Sequence, residues 1–200
     1  MTIFDAKSYY SELQRALSAL RTQTVEQIAN RIFDVYDKGQ TLFLIGNGGS
    51  ASLASHMACD LSKGTYQGMR RLRSLAFTDN VEILSAYAND LGYEHVFAEQ
   101  VSTFARENDT LVCISASGNS QNVLNAVHMA KKMRVFTIGL SGFNGGQLAP
   151  LADLCLTVPS SNMQLVEDVH LSVAHCVFTL VRQKIAEREG QLKLPTARAG

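Results

Sequence analysis

TLFLIGNGGS, residues 41–50, runs an apolar stretch, Thr41 to Ile45, into the turn Gly46-Asn47-Gly48-Gly49-Ser50, and the SASLASHMACDLSKG that continues from Ser50 has helical spacing ending at Gly64. This is a strand, a glycine-rich turn and a helix in immediate succession. The unit recurs twice. SLAFTD, Ser74 to Asp79, leads into a helix from Val81 to about Asn89, and DTLVCISASGNS leads into another from Gln121 to about Lys132. RVFTIGLSG and DLCLTVPS supply two further strands. Apolar strands alternating with helices predict an α/β fold, a parallel sheet covered on both faces, with ligands at the carboxyl ends of its strands.

Upstream, from Asp5 to about Asp37, apolar residues recur every three or four positions (Leu13, Leu17, Leu20, then Ile28, Ile32, Val35). That spacing predicts one long N-terminal helix or two shorter ones, closed by Lys38-Gly39. Its apolar face exceeds what such a domain needs to cover, which predicts a symmetric oligomer. Downstream, a final helix runs from about Met163 to Glu189, and QLKLPTARAG after it reads as a frayed tail. Residues 1–200 show no linker and are expected to form a single domain.

At 200 residues and 46% hydrophobic content, the chain can bury a core without disulfides. Lys+Arg and Asp+Glu both total 18, so no net positive field exists to hold nucleic acid or an anionic membrane, and a small molecule is the expected partner. Cys59, Cys113, Cys155 and Cys176 form no CxxC pair and read as reduced, buried thiols. MTIFDAKSYY lacks a basic start followed by an apolar run, and no stretch approaches a membrane span, so the cytoplasm is expected.

The turn from Gly46 to Ser50 opens a helix, so its backbone N–H groups and the helix dipole favour an anion. It lacks the lysine of a Walker A loop and the spacing of a dinucleotide fingerprint, and the bland alternative is a tight loop without a ligand. Ser115-Ala116-Ser117-Gly118-Asn119-Ser120 repeats the arrangement at another helix start without Lys or Arg. Three hydroxyls and several backbone donors suit a phosphomonoester that must come and go, with simple N-capping as the alternative. Asp79 and Asn80 follow a strand and point into the cleft or cap the next helix.

His56 and Asp60 are four residues apart on one helical face, workable spacing for two ligands of one metal ion or for a helix salt bridge. The last helix holds Glu167, Asp168, His170 and His175. Asp168 and His175 are nearly eclipsed, and Glu167 lies about 80 degrees from His175 on 3.6-residue geometry, so two or three of these can face one site. His95 and His128 lack such context, and Lys131, Lys132 and Arg134 read as a solvated helix end.

GNGGS followed by a helical His, then SASGNS, then a late helix with two histidines five apart, resembles the phosphoheptose isomerases, a branch of the SIS (sugar isomerase) proteins. TDN at Thr78 to Asn80, AND at Ala88 to Asp90, Tyr93 and GGQLAPLAD at Gly145 to Asp153 extend the resemblance through almost the whole chain. It implies a five-stranded parallel sheet flanked by helices and a homotetramer with active sites between subunits. It also implies isomerisation of sedoheptulose 7-phosphate to D-glycero-D-manno-heptose 7-phosphate. The family's phosphate-binding serines fall on Ser50, Ser115, Ser117 and Ser120, with Gly48 and Gly49 beside them, its cleft Asn on Asn47 and its cleft Asp on Asp79. Its zinc ligands, typically His, Glu, Gln and His, fall on His56, Asp60, Glu167 and His175. Asp60 is one methylene shorter than the family's Glu, also its proposed proton-transfer base, and Glu167 is charged where Gln is neutral.

An aldose-ketose isomerase moves a proton between carbons 1 and 2 through an enediol, for which Asp60 and His175 are the candidate proton carriers and a divalent metal, zinc in the family, polarises the carbonyl. Two rivals share these loops. One is an SIS isomerase for another phosphosugar; the other is a non-catalytic SIS adaptor that binds the bacterial replication initiator and generally lacks the paired histidines. A sugar-phosphate sensor would need a DNA-binding extension for which no residues remain.

Overall fold

Strand β1 (Thr41–Gly46) alternates its apolar side chains between two cores, Leu42 and Leu44 on one face and Phe43 and Ile45 on the other, as the two-residue period of a strand dictates. Both faces of the sheet are therefore covered. The computed structural model describes residues 5–68 and 70–190. Its sheet comprises β1, β2 (Arg73–Ala76), β3 (Thr110–Ile114), β4 (Phe136–Ser141) and β5 (Leu154–Thr157), in the order β2-β1-β3-β4-β5 with every pairing parallel.

One face is covered by α2 (Thr22–Asp37), α3 (Gly49–Cys59) and α8 (Met163–Arg188), with Ile28, Ile32, Leu53 and Val169 in the shared core. The other is covered by α4 (Val81–Leu91), α5 (Val96–Phe104), α6 (Gln121–Lys132) and the short α7 (Leu148–Leu151), around Phe77, Phe97, Val123 and Val127. Strand order reverses direction at β1 and β3: β2 lies outside β1, whereas β4 and β5 extend from β3. The loops after β1 and β3 therefore open side by side, the topological switch point where open α/β sheets bind ligands.

The N-terminal apolar stripe is split between two helices. α1 (Ala6–Ser18) starts with a reciprocal Asp5–Ser8 capping box, and the chain breaks at 19–21 before α2. α2 buries Val25, Ile28, Ala29, Ile32, Val35 and Tyr36, so its apolar face is spent inside the chain and does not by itself call for an oligomer.

The helix expected to run regularly to Gly64 is α-helical only to Cys59 and continues as a π-helical turn, Asp60–Gly64. Gly64 packs where a Cβ would meet the Phe178 ring at 2.7 Å, which brings this turn close against α8. The four cysteines are all free, but only Cys113 is buried; Cys59 and Cys176 lie on exposed helix faces, which corrects the expectation of four buried thiols. The expected tail from Gln191 lies outside the described residues. Among the described residues no helix is long and apolar enough to cross a membrane.

Candidate active site

Two adjoining cavities open beside the carboxyl ends of β1 and β3. The first, of about 300 Å³, is lined by Asn47, Gly48, Gly49, Ser50, Ile114, Ser115, Ala116, Ser117, Ser120, Met163 and Glu167. The second, of about 260 Å³, is lined by Gly49, Ser50, Ser52, Leu53, His56, Glu167, Asp168, His170 and Leu171. Gly49, Ser50 and Glu167 are common to both, and neither lining contains Lys or Arg.

Backbone bonds fix the loops of the first cavity. Gly48 takes a left-handed φ of 53°, which turns the chain into α3, and Ser50 N–H donates to the Asn47 carbonyl at 2.9 Å. The serine loop is held from both ends. Ser115 N–H donates to the Leu140 carbonyl at 3.0 Å, Gly142 N–H to the Ala116 carbonyl at 2.8 Å, and Leu148 N–H to the Gly118 carbonyl at 2.9 Å. Gly118 backs directly on Gly145, whose carbonyl oxygen would stand 2.1 Å from any Cβ at 118. Ser115 and Ser120 hydroxyls lie 3.2 Å apart, both at the cavity.

A reciprocal amide pair ties the two loops together. Asn47 Nδ2 donates to Asn122 Oδ1 and Asn122 Nδ2 to Asn47 Oδ1, both at 2.9 Å, and the Tyr93 hydroxyl donates to Asn47 Oδ1 at 2.9 Å. Asn122 was not singled out by sequence; its one legible signal is its place just after SASGNS at the start of α6.

His56 and His175, 119 residues apart, bring their Nε2 atoms to 3.3 Å, and Asp60 Oδ2 lies 3.3 Å from His56 Nε2 and 4.0 Å from His175 Nε2. All three ligand atoms fall within 4.8 Å of one another. Two imidazole nitrogens on one tetrahedral zinc, at bond lengths of about 2.0–2.1 Å, stand about 3.3 Å apart. The donor set of two imidazoles and one carboxylate therefore fits a divalent ion with a position left for substrate.

Glu167, expected as the fourth ligand, is not in this trio; its carboxylate lies over Gly49 at the wall shared by the two cavities. Asp79 and Asn80 line neither cavity. Asp79 Oδ1 accepts from the Ser55 hydroxyl on α3, and Asn80 Oδ1 caps α4 through Ile83 N–H at 3.0 Å, so Asn80 takes the capping role. Asp168 accepts from the Tyr9 hydroxyl on α1 at 2.5 Å, which with partial burial pushes the Tyr9 phenol up to about 12. His170 is 1% exposed; burial pushes its pKa down, against a hydrogen bond from Nε2 to the Ser141 carbonyl at 3.0 Å that pulls it up.

Residues 8–142 match the SIS domain family. A phosphoheptose isomerase of Aneurinibacillus thermoaerophilus is 38% identical over 161 residues, covering 80% of this chain and 81% of that protein. The chain belongs to the phosphoheptose isomerase family of SIS-domain proteins. It is accordingly an enzyme of the sugar-phosphate isomerase class. Solved phosphoheptose isomerases from Francisella tularensis and Neisseria gonorrhoeae superpose on it at TM-scores of 0.83, with 29% and 30% identity. Each alignment covers 88% of this chain and 96% of the other.

Proposed function

We propose that this protein interconverts sedoheptulose 7-phosphate and D-glycero-D-manno-heptose 7-phosphate with a bound divalent metal, zinc by the chemistry of its donors. The observation that carries the reading is the shared wall between a cavity of neutral hydroxyl and backbone donors and the His56–Asp60–His175 trio. The names of the relatives support the substrate.

In this reading Ser50, Ser115, Ser117 and Ser120, with the backbone N–H groups of Gly48 and Gly49, hold the phosphate, and Asn47 orients the chain of the sugar. Asp79 and Asn80, outside both cavities, act on the substrate seat only indirectly, Asp79 by its bond to Ser55 on α3 and Asn80 by capping α4. His56, Asp60 and His175 would hold the ion, which supplies Lewis-acid polarisation of the substrate carbonyl. Both contacts of Asp60 fall on Oδ2, leaving Oδ1 to take the proton from carbon 1 and return it to carbon 2. The matching oxygen proton passes from the hydroxyl on carbon 1 to the oxygen on carbon 2 either on the His175 imidazole, released from the ion during turnover, or through a water beside Asp60, since a ligating Nε2 cannot also carry it. Glu167 remains in the site as the wall between phosphate and trio.

The whole chain, 1–200, acts as one domain, in the cytoplasm and as a homotetramer. Support for self-association comes from α4, which has no buried residue and exposes Val81 and Leu91. Neither nucleic acid nor membrane is a partner, in keeping with equal totals of acidic and basic residues.

The test is metal analysis of the purified protein beside an assay of sedoheptulose 7-phosphate conversion, for wild type and His175→Ala. The expectation is about one divalent ion per chain and a rate lowered at least about 100-fold in the variant. Bound metal without turnover would favour another phosphosugar, a reading that the short Asp60 and the charged Glu167 support. A metal-free, inactive protein would favour the non-catalytic adaptor.

A further inference from the structure

Glu167 is the one charged residue common to both cavities. Its Oε1 lies 3.0 Å, and its Cδ and Oε2 3.2 Å, from the point a Cβ on Gly49 would occupy. A Cβ at 49 would be a tight contact that the carboxylate must relieve by moving a few tenths of an ångström, so glycine lets it rest directly over the first turn of α3. Gly49 is the first residue of α3, and its N-cap, Gly48, offers no side chain to bond the first-turn N–H groups. A helix N-terminus in that condition favours a negative charge.

Glu167 thus places its charge beside the donors that otherwise draw the phosphate. No Lys or Arg lines either cavity to neutralise the pair. Two anions confined to neighbouring positions among neutral donors repel, and the repulsion is weakened by salt. Glu167 is also outside the group of side chains that converge as metal ligands.

We propose that Glu167 is a specificity-determining residue that loosens the hold on the substrate's phosphate and confines that group to the serine side of the cavity. The proposal rests on the serine cavity being the phosphate seat. Its consequence is unusual for a substitution in a binding site: removing the charge tightens binding.

The experiment titrates inorganic phosphate, then sedoheptulose 7-phosphate, into wild type, Glu167→Gln and Ser117→Ala, at low and high salt, and measures zinc affinity of each by competition with a chelator. Glu167→Gln keeps the shape and removes the charge. Its phosphate Kd is expected to fall about tenfold at low salt, with the ratio shrinking toward unity at high salt, since a tenfold change corresponds to a modest like-charge repulsion. KM falls with it more than kcat changes, and zinc affinity stays within about twofold, as removal of uniform repulsion requires. Unchanged or weaker phosphate binding in Glu167→Gln, with wild type still binding phosphate through Ser117, overturns the role of Glu167 and leaves the functional reading intact. A large loss of zinc affinity in Glu167→Gln overturns it in favour of a fourth ligand. Phosphate binding indifferent to Ser117→Ala removes the phosphate seat itself and brings both readings down.

Discussion

The serine cradle and the metal trio sit side by side but are built differently. The cradle is made of backbone: Ser115, Ala116 and Gly118 are fixed by main-chain bonds to β4, to the loop after it and to the start of α7, respectively. The trio is made of side-chain tips from three segments, His56 near the end of α3, Asp60 on the π-helical turn and His175 on the exposed face of α8, and the two histidines meet across 119 residues of sequence. On the proposed reading the cradle recognises a phosphate, and such a site gains from donors that cannot move. A site that gathers ligands around an ion needs only that two helices be held at the right spacing.

The sharpest way to break this comparison is to disturb the cradle's backbone. Gly118→Ala puts a Cβ 2.1 Å from the Gly145 carbonyl at a φ of 66°. It is expected to cost about 3–5 kcal/mol in urea unfolding, from a backbone clash and left-handed strain together. Gly48→Ala, with nothing within 4 Å of the new Cβ at a φ of 53°, serves as the control. It should cost less, about 1–3 kcal/mol, the strain of a non-glycine residue at φ 53° and ψ −122° alone. If Gly118→Ala loses no more than Gly48→Ala, the cradle is not braced as described.

The contrast also explains what the sequence made legible. Strands and their loops announce themselves in consecutive residues, so TLFLIGNGGS and DTLVCISASGNS were readable, and so were their serines. His56 and Asp60 were readable because i,i+4 spacing is local. Not readable were relations that depend on how helices pack. The Asn47–Asn122 amide pair spans 75 residues, and the Tyr9–Asp168 bond spans 159. Glu167 was expected among the ligands by resemblance. Its carboxylate instead lies over Gly49, a spatial relation that no helical wheel contains. The π-helical turn was missed because SASLASHMACDLSKG keeps ordinary helical spacing through the residue where the backbone changes.

A middle-sized effect is expected at His170, which joins the two regions. Its Nε2 donates to the Ser141 carbonyl at the end of β4, one residue before Gly142 bonds the serine loop, and it sits on α8 five residues before His175. His170→Leu should cost about 1–3 kcal/mol by removing a buried hydrogen bond, and His170→Gln, whose amide can donate to the same carbonyl, should recover much of it. The pH dependence has a definite sign. Burial, the larger effect, lowers the folded pKa of His170 below its ordinary 6.5, so the unfolded chain binds the proton more readily. The stability from neutral His170 is complete above pH 6.5 and is lost as pH falls below it. Because the ionisable side chains His56, Glu167 and Asp168 line the same cavity, the observable is the difference between wild type and His170→Gln. That difference should narrow or reverse from pH 7 to pH 5; a constant gap would show that burial of the imidazole is not the cause.

The smallest effect is expected at the outermost brace. The Tyr9 hydroxyl donates to Asp168 at 2.5 Å and, with its pKa pushed up to about 12 chiefly by that hydrogen bond, stays protonated throughout the working range. The pair is exposed, so water replaces most of what Tyr9→Phe removes, and a loss of about 0.5–1 kcal/mol is expected. A double-mutant cycle with Asp168→Asn isolates that interaction. The more telling measurement is zinc affinity. α8 is already held on its inner face by Val166, Val169, His170 and Val173, all buried, so its outer contact with α1 should not set the spacing of His56, Asp60 and His175. Zinc affinity should stay within about twofold in Tyr9→Phe. A larger change would mean that the trio is positioned from the surface inward, by the N-terminal helix, and that the two halves of the site differ in where their rigidity comes from as well as in what they are made of.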